Sequence, residues 1–295
     1  MKQDILLESG TNELEIVLFE IGGSSFGINV LKVREIIQPL PITATPNSHH
    51  HVEGIIRLRE EVIPVVDLAK VLDLAPSDKG ASDKFIIAEL NQMKVAFHVH
   101  SVSRIHRISW NQIEKPSDLS TGFEAHTNGI VKMNDKLALL LDFEKIIVDI
   151  NPKTGLDINA VKALGERERS DKYVLIAEDS TTLRQLLKDT LNEAGYEKLR
   201  FFENGYLLWD YLDNERQEQN DPDLIITDIE MPQMDGHHLT KKLKEDPRWN
   251  QIPVIVFSSI ISEDLFHKGE KVGADEQISK PQIAKLIERI DQLVS

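Results

Sequence analysis

Cysteine is absent from the 295 residues. Its absence excludes disulfides, thiolate metal ligands and cysteine nucleophiles together, and fits a reducing compartment. Positive charge is also scarce: 34 Lys and Arg face 49 Asp and Glu, a formal net charge of -15. A nucleic-acid surface needs clustered Lys and Arg to neutralise phosphates, so no nucleic acid is expected as a partner and proteins are expected instead. Long apolar runs are missing too. The stretch from Ile252 to Ile261 is broken by Pro253 and two serines, well short of the roughly 20 apolar residues that a membrane-spanning helix requires. The amino terminus carries acidic residues where a signal peptide would have a clean apolar run after basic ones. These absences predict a cytoplasmic protein with no direct membrane insertion.

What is present falls into two textures. A chain of this length accommodates two domains, and 41% hydrophobic residues can fill two cores. Residues 151–172, NPKTGLDINAVKALGERERSDK, lack a strong apolar face, include Pro152 and Gly155 and end in mixed charge. That is the pattern of a linker, with a short helix expected near 158–164. Residues 1–150 and 173–295 are the two expected domains, and the acid excess sits mostly in the second.

After the linker, short apolar runs alternate with helical segments in five units, from YVLIA at 173 to PQIAKLIERIDQLV at 281. Such alternation predicts an α/β domain, a doubly wound, flavodoxin-like sheet of five parallel strands with helices on both faces. Ligands of such sheets sit beyond the carboxyl ends of the strands. Reading only those ends yields Glu178-Asp179-Ser180, Asp228-Ile229-Glu230, Ser258-Ser259 and Lys280-Pro281. Hard divalent cations such as Mg2+ or Mn2+ take oxygen ligands, which Glu178, Asp179 and Asp228 provide. Phosphoryl transfer needs an in-line nucleophile and cations on the equatorial oxygens. Asp228 can attack, Lys280 can take charge, and Ser258 can hydrogen-bond a phosphoryl oxygen. Any one of these residues alone would be ordinary at a strand end; their joint placement points to a phosphoacceptor site.

Residues 173–295 resemble the receiver domain of two-component response regulators. The resemblance is carried by Glu178-Asp179, IITDIEMPQMDG, VIVFSS, the GAD at 273 and SKP, with 49, 30 and 22 residues separating Asp179, Asp228, Ser258 and Lys280. It implies that Asp228 is the phosphoacceptor and that Asp179 and Asp228 ligate the metal, with Glu178 acting largely through water. It further implies a metal contact from the Glu230 backbone carbonyl and a cis peptide between Lys280 and Pro281. The family's aromatic switch residue, three positions before the lysine, is here Gln277. Glu230, two residues beyond the acceptor, is expected to tune the lifetime of the phosphorylated form.

Before the linker, ELEIVLFEIGG, SSFGINV, EGIIRLREEVIPVVDL, KFIIAELNQMKVAFHVHSV and GIVKMNDKLALLLDF alternate apolar and polar residues between Gly, Pro, Asn and Asp turns. They predict an all-β domain of one or two small barrels, with short helices only near 31–36 and 67–74. No nucleophile with a base, no phosphate loop and no carboxylate set appears here, so a conventional enzyme is not expected. His49-His50-His51 suggests metal ligation, but adjacent side chains of an extended strand point to opposite faces. A turn before the following strand is the expectation, and Trp110 is expected to cap a core.

This region resembles the CheW family of chemotaxis adaptors, through FGINVLKVREII, TATP, VEGIIRLREEVIPVVDLAKVL and GIVKMNDKLALLLDFEKII over residues 12–150. The resemblance implies a double SH3-like barrel that contacts methyl-accepting chemoreceptors and the histidine kinase CheA. Arg59 matches the family's LRG arginine, with Val33 and Glu35 on a neighbouring stretch as further contact residues. Glu60 stands where the family has glycine. An adaptor followed by a receiver is the architecture of CheV-type coupling proteins, which implies recruitment to receptor arrays and regulation by phosphorylation of Asp228, in adaptation or as a phosphate sink. A scaffold whose receiver is never phosphorylated is the rival reading.

Overall fold

The computed structural model describes residues 13–78, 80–114, 126–133, 136–155, 165, 167–215, 221–261 and 263–294. The helix expected near 158–164 lies outside them. Contacts divide the chain into two units, with the boundary between Thr154 and Gly155.

The first unit is built from two sheets. Its strands are β1 (Glu13–Ile21), β2 (Ser24–Asn29), β3 (Val33–Ile37), β4 (Val52–Leu58), β5 (Glu61–Asp67), β6 (Lys84–Leu90), β7 (Met93–Val99), β8 (Ser101–Ser109), β9 (Ile113–Glu114), β10 (Thr127–Met133) and β11 (Lys136–Leu141). One sheet runs β8-β1-β2-β11-β10-β9 and the other β3-β6-β7-β5-β4. Alternation explains their burial. In β1, Leu14, Ile16 and Leu18 point into a cluster with Ile108, Val131 and Leu140, against which Trp110 packs as expected. Phe19, one residue out of phase, stacks on Phe26 and meets Phe143 edge-on. Ile56, Ile63, Val65, Phe85, Ile87 and Ala96 fill the second sheet's core.

Helices in this unit are short. The Asp67 carboxylate accepts the Ala69 and Lys70 amides and so starts α1 (Leu68–Val71), within the expected stretch. The helix expected near 31–36 is instead a single 3-10 turn, Val30–Lys32, followed by β3. The β-branched Val33, Ile36 and Ile37 favour the pleated strand, and pairing with β6 supplies its hydrogen bonds. A second helix, α2 (Phe143–Ile150), closes the unit, started by the Asp142 side chain.

One glycine in this unit is obligatory. Gly54 has φ +148° at a bulge where β4 also bridges Thr43, and a Cβ there would lie 2.3 Å from the Thr43 carbonyl oxygen. The TATP and VEG segments of the sequence are thus two sides of one contact.

The second unit holds β12 (Ser170–Ala177), β13 (Tyr196–Phe202), β14 (Leu224–Thr227), β15 (Val254–Ser258) and β16 (Glu276–Ser279) in the order β13-β12-β14-β15-β16, all parallel. Alternate residues of β12 feed two cores. Val174 and Ile176 pack with Leu187 and Leu191 of α3 (Thr181–Glu193) and Ile283, Leu286, Ile287 and Ile290 of α7 (Ile283–Val294). Leu175 and Ala177 pack on the opposite face with Leu208 of α4 (Gly205–Asp210), Leu239 and Leu243 of α5 (Gly236–Glu245), and Trp249. One more helix, α6 (Glu263–Val272), precedes β16.

The expected five strand-and-helix units are therefore present. The first strand begins at Ser170, three residues before the apolar run that announces it. Just upstream, the Arg167 guanidinium donates to the Ala194 carbonyl and pairs with Asp291, which also accepts the Tyr196 hydroxyl.

Candidate functional site

Strand register assembles the site. Ala177 of β12 lies level with Thr227 of β14, so Glu178 and Asp228 leave the sheet side by side. This is where the strand order reverses, the place where open α/β sheets bind ligands. Ser258 of β15 is level with Ser279 of β16, which delivers Lys280 to the same edge. The Lys280 ammonium donates to Asp228 Oδ2 at 2.6 Å and stands 3.1 Å from Glu178 Oε2, all three residues being buried. Oxygens of Glu178, Asp179 and Asp228 lie within 4.8 Å of one another. The four chemically distinct groups read from the strand ends, carboxylate pair, acceptor, hydroxyl and lysine, thus meet at one end of one sheet.

Local structure holds each group. The Ile229 amide donates to Asp228 Oδ1 at 2.6 Å, and the Ser180 amide to Glu178 Oε1 at 3.1 Å. Gly236 allows α5 to start against the acceptor strand, since a Cβ there would lie 1.9 Å from the Asp228 carbonyl oxygen. The Ser258 hydroxyl is fully buried and accepts the Ile260 amide at 3.5 Å, a long contact that leaves it able to turn toward another acceptor. Glu230 is half-buried in the loop after β14.

Electrostatics mark the same spot. Burial pushes the Glu178 carboxyl up to about 7, with the Asp228 charge adding to the rise and Lys280 opposing it. Asp179 is raised well above the usual carboxylate range, first by burial and then by the charges of Glu178 and Asp228. The charge of one Lys280 ammonium does not balance three clustered carboxylates, and a hard dication would add the balance. The donor set fits Mg2+ or Mn2+: only oxygens, with the carboxylates of Glu178, Asp179 and Asp228 as the groups that would hold it.

Sequence reasoning placed Ser180 at the strand end without a role and did not name Arg184. Ser180 caps α3 through its side chain, and Arg184 in the first turn of that helix donates to the Glu178 and Asp179 carbonyls at 2.7 and 2.9 Å. Both fix the acidic loop. The cis peptide implied for Lys280 and Pro281 is not found: among the described residues every peptide is trans. The two X-Pro isomers differ by only about 0.5–1 kcal/mol, so local packing decides between them. Gln277 is not idle in the aromatic residue's place. Its amide donates to the Phe266 carbonyl of α6 at 2.7 Å and lies against Gly269, where any side chain would collide with it.

In the first unit, the three expected contact residues are near one another only in part. Arg59 pairs with Glu35 at 3.0 Å, linking the β4-β5 hairpin to β3, while Val33 is half-buried and paired with Ala88. The positive φ of the hairpin turn falls on Arg59 (57°), and Glu60 needs none. That is the two-residue turn with a left-handed first position, and it explains how glutamate is accepted in the second.

Residues 15–151 match the family described as CheW-like domain, and residues 174–291 match the response regulator receiver domain. Chemotaxis protein CheV3 of Helicobacter pylori is 34% identical over 303 residues, covering 96% of this chain and 95% of the relative. The chain belongs to the CheV family. Chemotaxis protein CheW of Thermotoga maritima is 35% identical over 150 residues, 51% of the CheV-type chain and 98% of CheW. The crystal structure of scaffolding protein TtCheW from Thermoanaerobacter tengcongensis shares 31% identity, covering 44% of the CheV-type chain and 84% of its own with a TM-score of 0.42. This CheV-type protein therefore joins a CheW-like coupling domain to a receiver, and no described helix is long and apolar enough to cross a membrane.

Proposed function

We propose that the CheW-like unit couples methyl-accepting chemoreceptors to the histidine kinase CheA in the cytoplasm, and that phosphorylation of Asp228 sets the strength of that coupling. The observation that carries the proposal is the pairing of Asp228 with Lys280 inside a cluster of three carboxylates. A carboxylate oxygen of Asp228 attacks the phosphorus of a phosphohistidine, the P–N bond breaks, and the imidazole leaves and takes a proton. Lys280, already at Asp228 Oδ2, takes up charge on the phosphoryl oxygens, and Ser258 turns its hydroxyl toward one of them. A bound Mg2+ would neutralise the same oxygens, held by Glu178, Asp179, Asp228 and the Glu230 backbone carbonyl. The change in Ser258 can reorder the loop after β15. Arg59, Glu35 and Val33 are assigned to the partner surface.

The added charge must favour one of two arrangements of the protein to alter the array. Adaptation is the consequence we favour, with phosphate storage as a second effect. Incubation with CheA labelled on its phosphohistidine and Mg2+ should transfer label to the parent and not to Asp228→Ala. No transfer would return the protein to a scaffold with a silent receiver, and label retained by the variant would remove Asp228 as the acceptor. Glu230→Asn should change the rate of dephosphorylation, and equal rates would remove that residue from the account.

A further inference from the structure

Three consecutive histidines precede β4, and strand alternation would scatter their side chains. The structure gathers them. The His49 carbonyl accepts the Val52 amide at 2.8 Å, closing a turn across His50 and His51. The three ring centroids lie 3.9, 4.3 and 4.7 Å apart, and one nitrogen from each ring lies within 4.8 Å of the others. The turn's backbone is held independently of the rings: the Asp67 amide donates to the His51 carbonyl at 2.9 Å, tying the turn to the end of β5. His50 is exposed and the other two are half-buried, so the rings are not core filling.

We infer that His49, His50 and His51 form a site for a first-row transition-metal dication, with Zn2+ as its representative. Three imidazole nitrogens suit Zn2+, Ni2+ or Cu2+, whereas the all-oxygen set at the receiver strand ends suits Mg2+ or Mn2+, so donor type sorts the two sites. Zinc–nitrogen bonds of about 2.0–2.1 Å require the three nitrogens to converge on one point, by side-chain rotations that open the ring stack and that the exposed His50 can make. The His51 amide donates to His49 Nδ1 at 3.3 Å. Loading either takes over that nitrogen or places the proton on it and uses Nε2. Three protein ligands leave a fourth position for water.

The test is a zinc titration of the full chain against a chromophoric chelator with Mg2+ in excess. It compares the parent, Asp228→Asn, and the triple variant His49→Gln/His50→Gln/His51→Gln. The parent and Asp228→Asn should take up the same single equivalent, and the triple variant should bind at least about tenfold more weakly. His50→Gln, at an exposed position that leaves the fold intact, should also weaken uptake. Imidazole nitrogen resonances of the three histidines should shift on loading. Uptake unaltered by the triple substitution, or resonances unmoved at saturating zinc, would overturn the assignment.

Discussion

A buried carboxylate is costly unless another charge answers it, and Lys280 is the cation that reaches both Glu178 and Asp228. Replacing it removes that answer. Lys280→Met should destabilise the receiver by about 3 kcal/mol in chelator, with much of the loss restored by Mg2+, as read by urea unfolding. Asp179→Asn should act in the opposite direction. Its carboxyl is raised by burial and by its two acidic neighbours, so removing the ionisable group should stabilise the metal-free receiver while abolishing its stabilisation by Mg2+. Paired thermal melts with and without the ion would show both effects. These residues were legible in the sequence because the chemistry demands their side chains at strand ends. Arg184 was not, because it works on backbone carbonyls that any residue could supply. The turn expected at the three histidines is present, closed by the hydrogen bond from Val52 to His49, but alternation describes extended chain and could not show that the turn gathers their rings.

At the scale of elements, the receiver was the more readable unit. Its central strands β14 and β15 are buried on both faces and its helices on one, so the change of period marks the boundaries there. In the CheW-like unit, VREII fits both a strand and a short helix, and only pairing with β6 settles it. The place of Gly54 depends on a long-range contact that local pattern does not reveal. Gly54→Ala should cost at least about 2 kcal/mol, since it adds both a left-handed strain and a collision with Thr43. The loss should appear in the unfolding of the CheW-like unit and leave phosphorylation of Asp228 unchanged. Loss of labelling with intact stability would show that the bulge serves something other than the fold.

For the whole molecule, the two units should answer acid differently. In the CheW-like unit, burial alone would lower His98, but hydrogen bonds and charge from Glu53 and then Asp83 raise it above its ordinary 6.5. Its contribution is fully present below that value and is lost as pH rises through the raised one. Glu53, lowered chiefly by its bond to His98, contributes above its ordinary 4.5 and loses that contribution as pH falls through the depressed value. In the receiver, burial and then Lys268 lower His237 to about 4, and neither ring nitrogen has a partner. Between 6.5 and about 4 the unfolded chain takes a proton that the native His237 refuses. Acid should therefore cost the receiver up to about 3 kcal/mol. Calorimetry in Mg2+ should show His237→Leu gaining on the parent as pH falls through this range, and a constant difference would sink the assignment. The clasp of Arg167 on Ala194 and Asp291 has a consequence for signalling. It fastens the incoming chain beside the start of β12, whereas Asp228 lies past the strand ends, about 25 Å away along eight residues. The clasp itself therefore stands a strand's length from the acceptor, and any message from Asp228 to Arg167 through the receiver must cross the length of the sheet.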